Sequence, residues 1–159
     1  ACGLRLGALI SRNPLLMEKV ERLGQARLGP QPLAQAAGVA ALEMEESYYE
    51  DVRLLWKRRV DALYSALAEI PGLHQNKPSG AFYTMVELPV ADTESFARFL
   101  VTDFRLDGES LVVAPGGGFY ADPSRGSRQI RLAAVLEEAK LRRSAEILGA
   151  ALDAYRTQG

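Results

Sequence analysis

The stretch SRQIRLAA, residues 127–134, is typical of a short buried strand with an arginine at its centre. Neighbouring side chains of a strand point to opposite faces, so we predict that Ile130 and Leu132 enter the core while Arg131 faces away from it. A guanidinium is costly to desolvate without a partner, and its planar fork matches a carboxylate through two parallel hydrogen bonds. Arg131 is therefore a candidate clamp for a substrate carboxylate; the alternative is an ordinary arginine on a sheet edge.

On both sides of this strand, short apolar runs alternate with segments of helical periodicity. Asn13 and Asp92 are placed to cap two of the helices, and Pro14 is suited to the first turn of the earlier one. Strands that alternate with helices predict an α/β or α+β architecture. We predict strands at about residues 4–11, 81–88, 111–115 and 127–134, and helices at about residues 14–28, 32–42, 45–70, 92–106 and 136–155.

The long predicted helix that starts at residue 45 divides the chain into two parts. Residues 1–44 supply one strand and two helices, which is too little to close a hydrophobic core. Residues 45–159 supply the long helix, further strands and two covering helices. We therefore predict a boundary near residue 44, after which residues 45–159 close a hydrophobic core of their own.

Composition excludes several classes of function. Of the 159 residues, 48% are hydrophobic and 25% charged, and the formal net charge is −1, which is ordinary for a globular protein. The sequence has no basic tract, long apolar run or signal-like start, so we expect neither a nucleic-acid partner nor a membrane. Its one cysteine indicates a reducing compartment, and we expect the cytoplasm. With one cysteine and one histidine, we expect no metal site.

A second arginine, Arg5, lies in an apolar run between Gly3 and Gly7. Glycines permit a close approach of the backbone, so an anion such as a phosphate could reach this guanidinium; the alternative is an arginine on an edge strand. None of the four lysines is predicted to be a desolvated, activated amine, and His74 is predicted to lie in a polar turn. Two arginines without a nucleophile, acid or base indicate one half of a site.

Four runs of residues, in this order, resemble the C-terminal part of a pyridoxal-phosphate-dependent aminotransferase of the aspartate aminotransferase-like family, fold type I, class I/II. Among members of that family, the combination is most similar to aspartate aminotransferases. The resemblance implies an α/β fold with an α+β small domain. In that fold residues 1–44 end the large cofactor-binding domain, and residues 45–159 form a long linking helix and the smaller C-terminal domain. The runs are ACGLRLG at residues 1–7, PSGAFY at 78–83, VAPGGGFY at 113–120 and QIRLA at 129–133.

The resemblance also implies roles for three residues. Arg5 would bind the phosphate of the pyridoxal 5'-phosphate cofactor, and Arg131 would bind the substrate α-carboxylate. Gly80 would lie in the turn that lets the small-domain strand approach the substrate. The parent reaction would transfer an amino group between an amino acid, with aspartate expected, and a 2-oxo acid, in a homodimeric cytoplasmic enzyme.

The lysine that forms the Schiff base with the cofactor lies, in this family, just ahead of the segment that contains Arg5, which places it before Ala1. We therefore expect the sequence to be the C-terminal part of a longer enzyme and to be inactive alone, because that lysine moves the proton. Two alternatives stay open. One is another fold type I enzyme, a decarboxylase, synthase or acyltransferase; the other is a non-catalytic α/β module that binds an amino acid or a protein partner.

Overall fold

The computed structural model describes residues 2–157, and the chain divides into two compact units, Ala1–Glu50 and Asp51–Gly159. The division falls six residues after the boundary predicted from sequence, and the identity of the two units as parts of a large and a small domain stays a prediction. The helices are α1 (Pro14–Gln25), α2 (Pro32–Leu42), α3 (Glu46–Leu67), α4 (Thr93–Thr102) and α5 (Glu138–Arg156). The strands are β1 (His74–Gln75), β2 (Tyr83–Glu87), β3 (Ala114–Pro115) and β4 (Gln129–Ala133).

The first unit is built of helices with little burial. The side chain of Asn13 caps α1 as predicted, accepting hydrogen bonds from the backbone N–H groups of Leu15 and Leu16 at 3.1 and 3.2 Å. Within the described part of this unit, Ala34 is the one buried apolar residue, whereas Ile10 is 91% exposed. Helix propensity and capping, rather than a core, therefore account for the local structure here.

The predicted strand at residues 4–11 is wrong. Cys2–Leu4 form a turn of 3-10 helix, and residues 5–10 have no regular secondary structure. Strand geometry depends on hydrogen bonds to a neighbouring strand, and in the described part of the chain no strand pairs with this segment. An apolar run alone therefore does not form a strand, because its backbone N–H and C=O groups also need a neighbouring strand.

The second unit contains a four-stranded antiparallel sheet in the order β1-β2-β4-β3. Strand β4 runs beside β2, with Arg131 opposite Met85 and Ile130 opposite Val86. The predicted strand at residues 111–115 shortens to the two residues of β3. The predicted turn at His74 is wrong, because His74 lies in β1, where it pairs with Glu87 of β2.

The core of this unit lies between the sheet and helices α3, α4 and α5. Val86 and Ile130, which are opposite each other on one face of the sheet, are both fully buried. Helix α4 contributes three buried apolar side chains besides the buried Thr93, and α5 contributes six, so each helix buries one apolar stripe. The unit is thus an antiparallel sheet covered by helices, as predicted for the α+β part. Among the described residues, the fully buried large apolar side chains are Leu67, Val86, Leu88, Phe96, Leu100, Ile130, Leu148 and Leu152.

Candidate functional site

Arg131 lies at the centre of β4 and does not share the buried face. Ile130 is fully buried and Leu132 packs against the core, whereas Arg131 is half-buried, which confirms the predicted alternation. Its guanidinium carbon lies 4.8 Å from the centre of the Tyr83 ring and 4.6 Å from the centre of the Phe119 ring. Both distances fall within the range of a cation–π interaction.

The two rings come from different parts of the chain. Tyr83 begins β2 and is opposite Ala133, two residues from Arg131 on the neighbouring strand. Phe119 ends a turn of 3-10 helix, Gly117–Phe119, that follows β3. The sheet register positions the first ring, and a turn attached to β4 positions the second.

The guanidinium of Arg131 keeps its hydrogen-bond donors available. Among residues 2–157, no carboxylate and no other acceptor is paired with it. The nearby Arg128 differs, because its guanidinium lies 3.5 Å from the carboxylate of Glu87. A cation–π contact uses the face of the guanidinium and none of its five N–H groups, so Arg131 can still bind a carboxylate through two of them.

A cavity of about 480 Å³ adjoins Arg131. Its walls are mostly apolar, and the hydroxyl-bearing side chains of Ser110 and Ser144 also line it. Low polarity around a charge strengthens its attraction to an opposite charge. The lining includes Leu63, Leu67, Tyr83, Leu111, Val113, Arg131, Leu132, Leu136 and Leu148.

Arg5, the predicted phosphate ligand, lies in the first unit and Arg131 in the second. Arg5 is exposed and has a positive φ of 54°, an unusual backbone conformation for a residue other than glycine. Within the described residues its guanidinium has no hydrogen-bond or ion-pair partner. An exposed, unpaired guanidinium fits a phosphate, so the chemistry of this residue is compatible with the role that the resemblance implies.

Gly80 lies in the bend that leads into β2 and lines a second cavity of about 510 Å³. A side chain at this position would meet no atom within 4 Å in the described structure. The neighbouring Ala81, rather than Gly80, has the positive φ of the bend, at 59°. No contact in the described structure tests the predicted role of Gly80 beside the substrate, which therefore stays a prediction.

A charged group that sequence analysis missed lies beside the same cavity. The carboxylate of Asp61 accepts from the ammonium groups of Lys57 at 2.5 Å and Lys77 at 2.6 Å. Hydrogen bonds from these two lysines lower the pKa of Asp61 to about 2. The spacing of Lys57 and Asp61, four residues apart on α3, could have indicated the first pair, but nothing in the sequence indicated Lys77.

None of the four lysines of the chain takes part in the contacts that the described structure gives for Arg131. Lys19 and Lys140 lie on α1 and α5, and Lys57 and Lys77 are the two partners of Asp61. None of the four lines the cavity beside Arg131. Among the described residues, no group of three or more His, Cys, Asp or Glu is arranged to hold a metal ion, and no helix is long and apolar enough to cross a membrane.

Comparisons with known proteins agree on one family. A family model described as aminotransferase class I and II matches residues 1–148. The chain is 27% identical to aspartate aminotransferase of Bacillus subtilis over 124 residues, covering 74% of this chain and 30% of that protein. It is 34% identical to tyrosine aminotransferase of Mus musculus over 117 residues, covering 69% of this chain and 26% of that protein.

Solved structures show the same fold. The α-aminoadipate aminotransferase LysN of Thermus thermophilus matches 92% of this chain and 38% of its own, with a TM-score of 0.73 at 22% identity. The alanine aminotransferase of Pyrococcus furiosus matches 90% of this chain and 36% of its own, with a TM-score of 0.71 at 25% identity. These matches confirm the predicted fold, and the chain spans about a third of the length of the curated relatives it matches.

Proposed function

Because the chain belongs to the class I and II aminotransferase family, we propose that it forms the carboxylate-binding part of an enzyme that transfers an amino group between an amino acid and a 2-oxo acid. The observation that carries this proposal is the half-buried, unpaired guanidinium of Arg131 beside a mostly apolar cavity. In this proposal Arg131 binds the α-carboxylate through two parallel hydrogen bonds and thereby orients the Cα of the substrate.

Aspartate is the proposed amino donor. Several similar proteins are named aspartate aminotransferases, from Bacillus subtilis, Geobacillus stearothermophilus and Rhizobium meliloti. Others are named LL-diaminopimelate and tyrosine aminotransferases, so the side-chain preference has to be measured. A homodimeric enzyme of the cytoplasm is also part of the proposal. The resemblance supports the homodimer, and the single cysteine supports the cytoplasm.

The cofactor proposed is pyridoxal 5'-phosphate, with Arg5 as a ligand of its phosphate. The cofactor, when bound, supplies an electron sink for the carbanion that forms at Cα. Arg5 would contribute a charge-assisted hydrogen bond to the phosphate, for which its exposed guanidinium is available. The proton at Cα needs a base, and since none of the four lysines lines the cavity beside Arg131, we propose that residues 1–159 do not perform the proton transfer alone.

The test uses the gene product that contains these residues, with Arg131→Ala and Arg131→Lys variants. Loss of a charge-assisted pair costs about 2–4 kcal/mol, so we expect kcat/KM for aspartate to fall by about 30- to 1000-fold in Arg131→Ala. Arg128→Ala is the matched control, because this arginine is near in sequence but exposed and paired with Glu87, and it should keep kcat/KM within about twofold. The donors compared are aspartate, tyrosine and LL-diaminopimelate.

Two results would contradict the proposal. Unchanged kcat/KM in Arg131→Ala would show that another group binds the carboxylate. Reduction of the cofactor onto its lysine with borohydride, followed by peptide mapping, should label none of Lys19, Lys57, Lys77 and Lys140; a label on one of them would place the base within these residues.

A further inference from the structure

The aromatic ring of Phe119 is held beside Arg131 although it adds little to the core. Phe119 is 47% exposed, and it is absent from the cluster of buried and partly buried residues around the sheet. The guanidinium carbon of Arg131 lies 4.6 Å from its ring centre, closer than to the Tyr83 ring. Its best-defined contact is therefore with the cation rather than with the hydrophobic core.

Two close contacts fix the turn that carries this ring. Before the turn, the N–H of Gly116 donates to the carbonyl oxygen of Gln129 at 2.6 Å. After the turn, the hydroxyl of Tyr120 donates to the side-chain carbonyl oxygen of Gln129, also at 2.6 Å. Gln129 precedes Arg131 by two residues on β4, so both ends of the turn are attached to the strand that presents the guanidinium.

Glycine is required for the same attachment. A Cβ at Gly116 would lie 2.7 Å from the carbonyl oxygens of both Gln129 and Gly126, and a Cβ at Gly126 would lie 2.4 Å from backbone atoms of Gly116. Only a backbone without side chains at these two positions lets the turn sit this close to β4. Gly116 and Gly126 thus allow the close backbone contact that positions Phe119.

A ring contact is well suited to a guanidinium that must bind a carboxylate. An acidic side chain would also hold Arg131 in place, but it would occupy the N–H donors and neutralise the charge. A ring restricts the guanidinium and leaves both its charge and its donors available. Restricting the long arginine side chain before binding lowers the entropy lost when the carboxylate binds.

We propose that Phe119 is a positioning residue that orients the Arg131 guanidinium for the substrate carboxylate, with the Gly116–Gly126 contact holding its ring in place. This inference rests on the proposed function, because it assigns Phe119 a role only if Arg131 binds the substrate. Phe119 acts through Arg131 and has no proposed contact with the reacting atoms.

The test compares Phe119→Leu, Phe119→Tyr and Arg131→Lys in the holoenzyme of the gene product. Leucine keeps an apolar side chain and removes the ring, whereas tyrosine keeps the ring. We expect Phe119→Leu to raise KM for the amino acid by about 3- to 10-fold with kcat within about twofold, and Phe119→Tyr to stay within about twofold of wild type in both. Val101→Ala, a half-exposed apolar position on α4, is the control and should change neither value.

A binding measurement gives a readout that does not depend on turnover. Calorimetric titration with 2-methylaspartate, which carries the α-carboxylate but no hydrogen on Cα, should show the same 3- to 10-fold weakening in Phe119→Leu, by roughly the strength of one cation–π contact. Poor binding by Arg131→Lys would uphold the proposed function. In that case wild-type affinity in Phe119→Leu, or equal weakening in Phe119→Tyr, would overturn the inference about Phe119. Wild-type affinity in Arg131→Lys would overturn the proposed function itself, and the role of Phe119 with it.

Discussion

The two units of the chain differ in the secondary structure and burial that they give to an arginine in an apolar run. In the unit Asp51–Gly159, Arg131 lies in a formed strand, half-buried and against two aromatic rings. In the unit Ala1–Glu50, the segment around Arg5 forms no strand, and Arg5 is exposed with a positive φ. Both segments carry an arginine between two apolar residues, and only the one that has neighbouring strands adopts the predicted structure.

The difference in burial between the units has the same origin. The second unit closes a core between its sheet and three helices, and Ile130 and Val86 are fully buried in it. In the described part of the first unit, large apolar side chains such as Ile10, Leu28 and Leu42 are more than 80% exposed. Apolar patterning therefore predicts which residues need burial, but burial requires a surface to pack against.

The largest effect is expected from core substitutions that compare the two units directly. Ile130→Ala removes a fully buried side chain and should cost about 2–5 kcal/mol, because it loses apolar contacts and leaves a cavity. Ile10→Ala, at a residue that is 91% exposed, should cost less than about 0.5 kcal/mol. Hydrogen exchange measured on peptides from each unit reports the two effects separately; similar losses of protection in the two variants would contradict the difference in burial between the units.

An intermediate effect is expected at the close contact of two glycines. Gly126→Ala forces a Cβ to within 2.4 Å of the Gly116 backbone, and overpacking of this kind costs about 1–3 kcal/mol. Gly118→Ala, in the same turn, meets no atom within 4 Å and is the matched control. Faster amide exchange at residues 116–120 in Gly126→Ala alone is expected, and an unchanged rate would mean that the turn is not fixed by this contact.

The smallest effect is expected from the helix caps, one in each unit. Asp92 accepts from the backbone N–H of Ser95 at 2.9 Å and caps α4, which buries Phe96, Phe99 and Leu100. Asp92→Ala should cost about 1 kcal/mol across the second unit. Asn13→Ala should loosen only α1, which has no buried residue to couple it to a core.

The Asp92 cap also predicts a dependence on pH. Hydrogen bonds from the hydroxyl and then the backbone N–H of Ser95 lower the pKa of Asp92 below its ordinary value. Its contribution to stability is therefore complete above the pKa of the unfolded chain, near about 4, and is lost as the pH falls through the lower pKa of the folded state. In Asp92→Asn, which keeps an acceptor but cannot titrate, this part of the pH dependence should vanish; its persistence would assign it to another carboxyl.

Much of the local structure could be predicted from the sequence. Asn13 and Asp92 cap their helices as predicted, and the alternation of Ile130, Arg131 and Leu132 across β4 follows directly from strand geometry. The helix predicted to end near residue 106 ends at Thr102 instead. At this end the Arg105 guanidinium donates to the carbonyl oxygens of Leu100 and Val101, a local side-chain cap of the last helical turn.

The sequence by itself determined which residues need a partner: the apolar stripes of the helices, the arginine in the strand and the capping side chains, since each follows from local geometry and the cost of desolvation. Only the tertiary structure decided which partner each one has. Tyr83, Phe119 and Arg131 come together through strand pairing and a contact between Gly116 and Gly126, and Asp61 takes Lys77 from outside its helix. Contacts between residues distant in sequence depend on register and close packing, which no local pattern encodes.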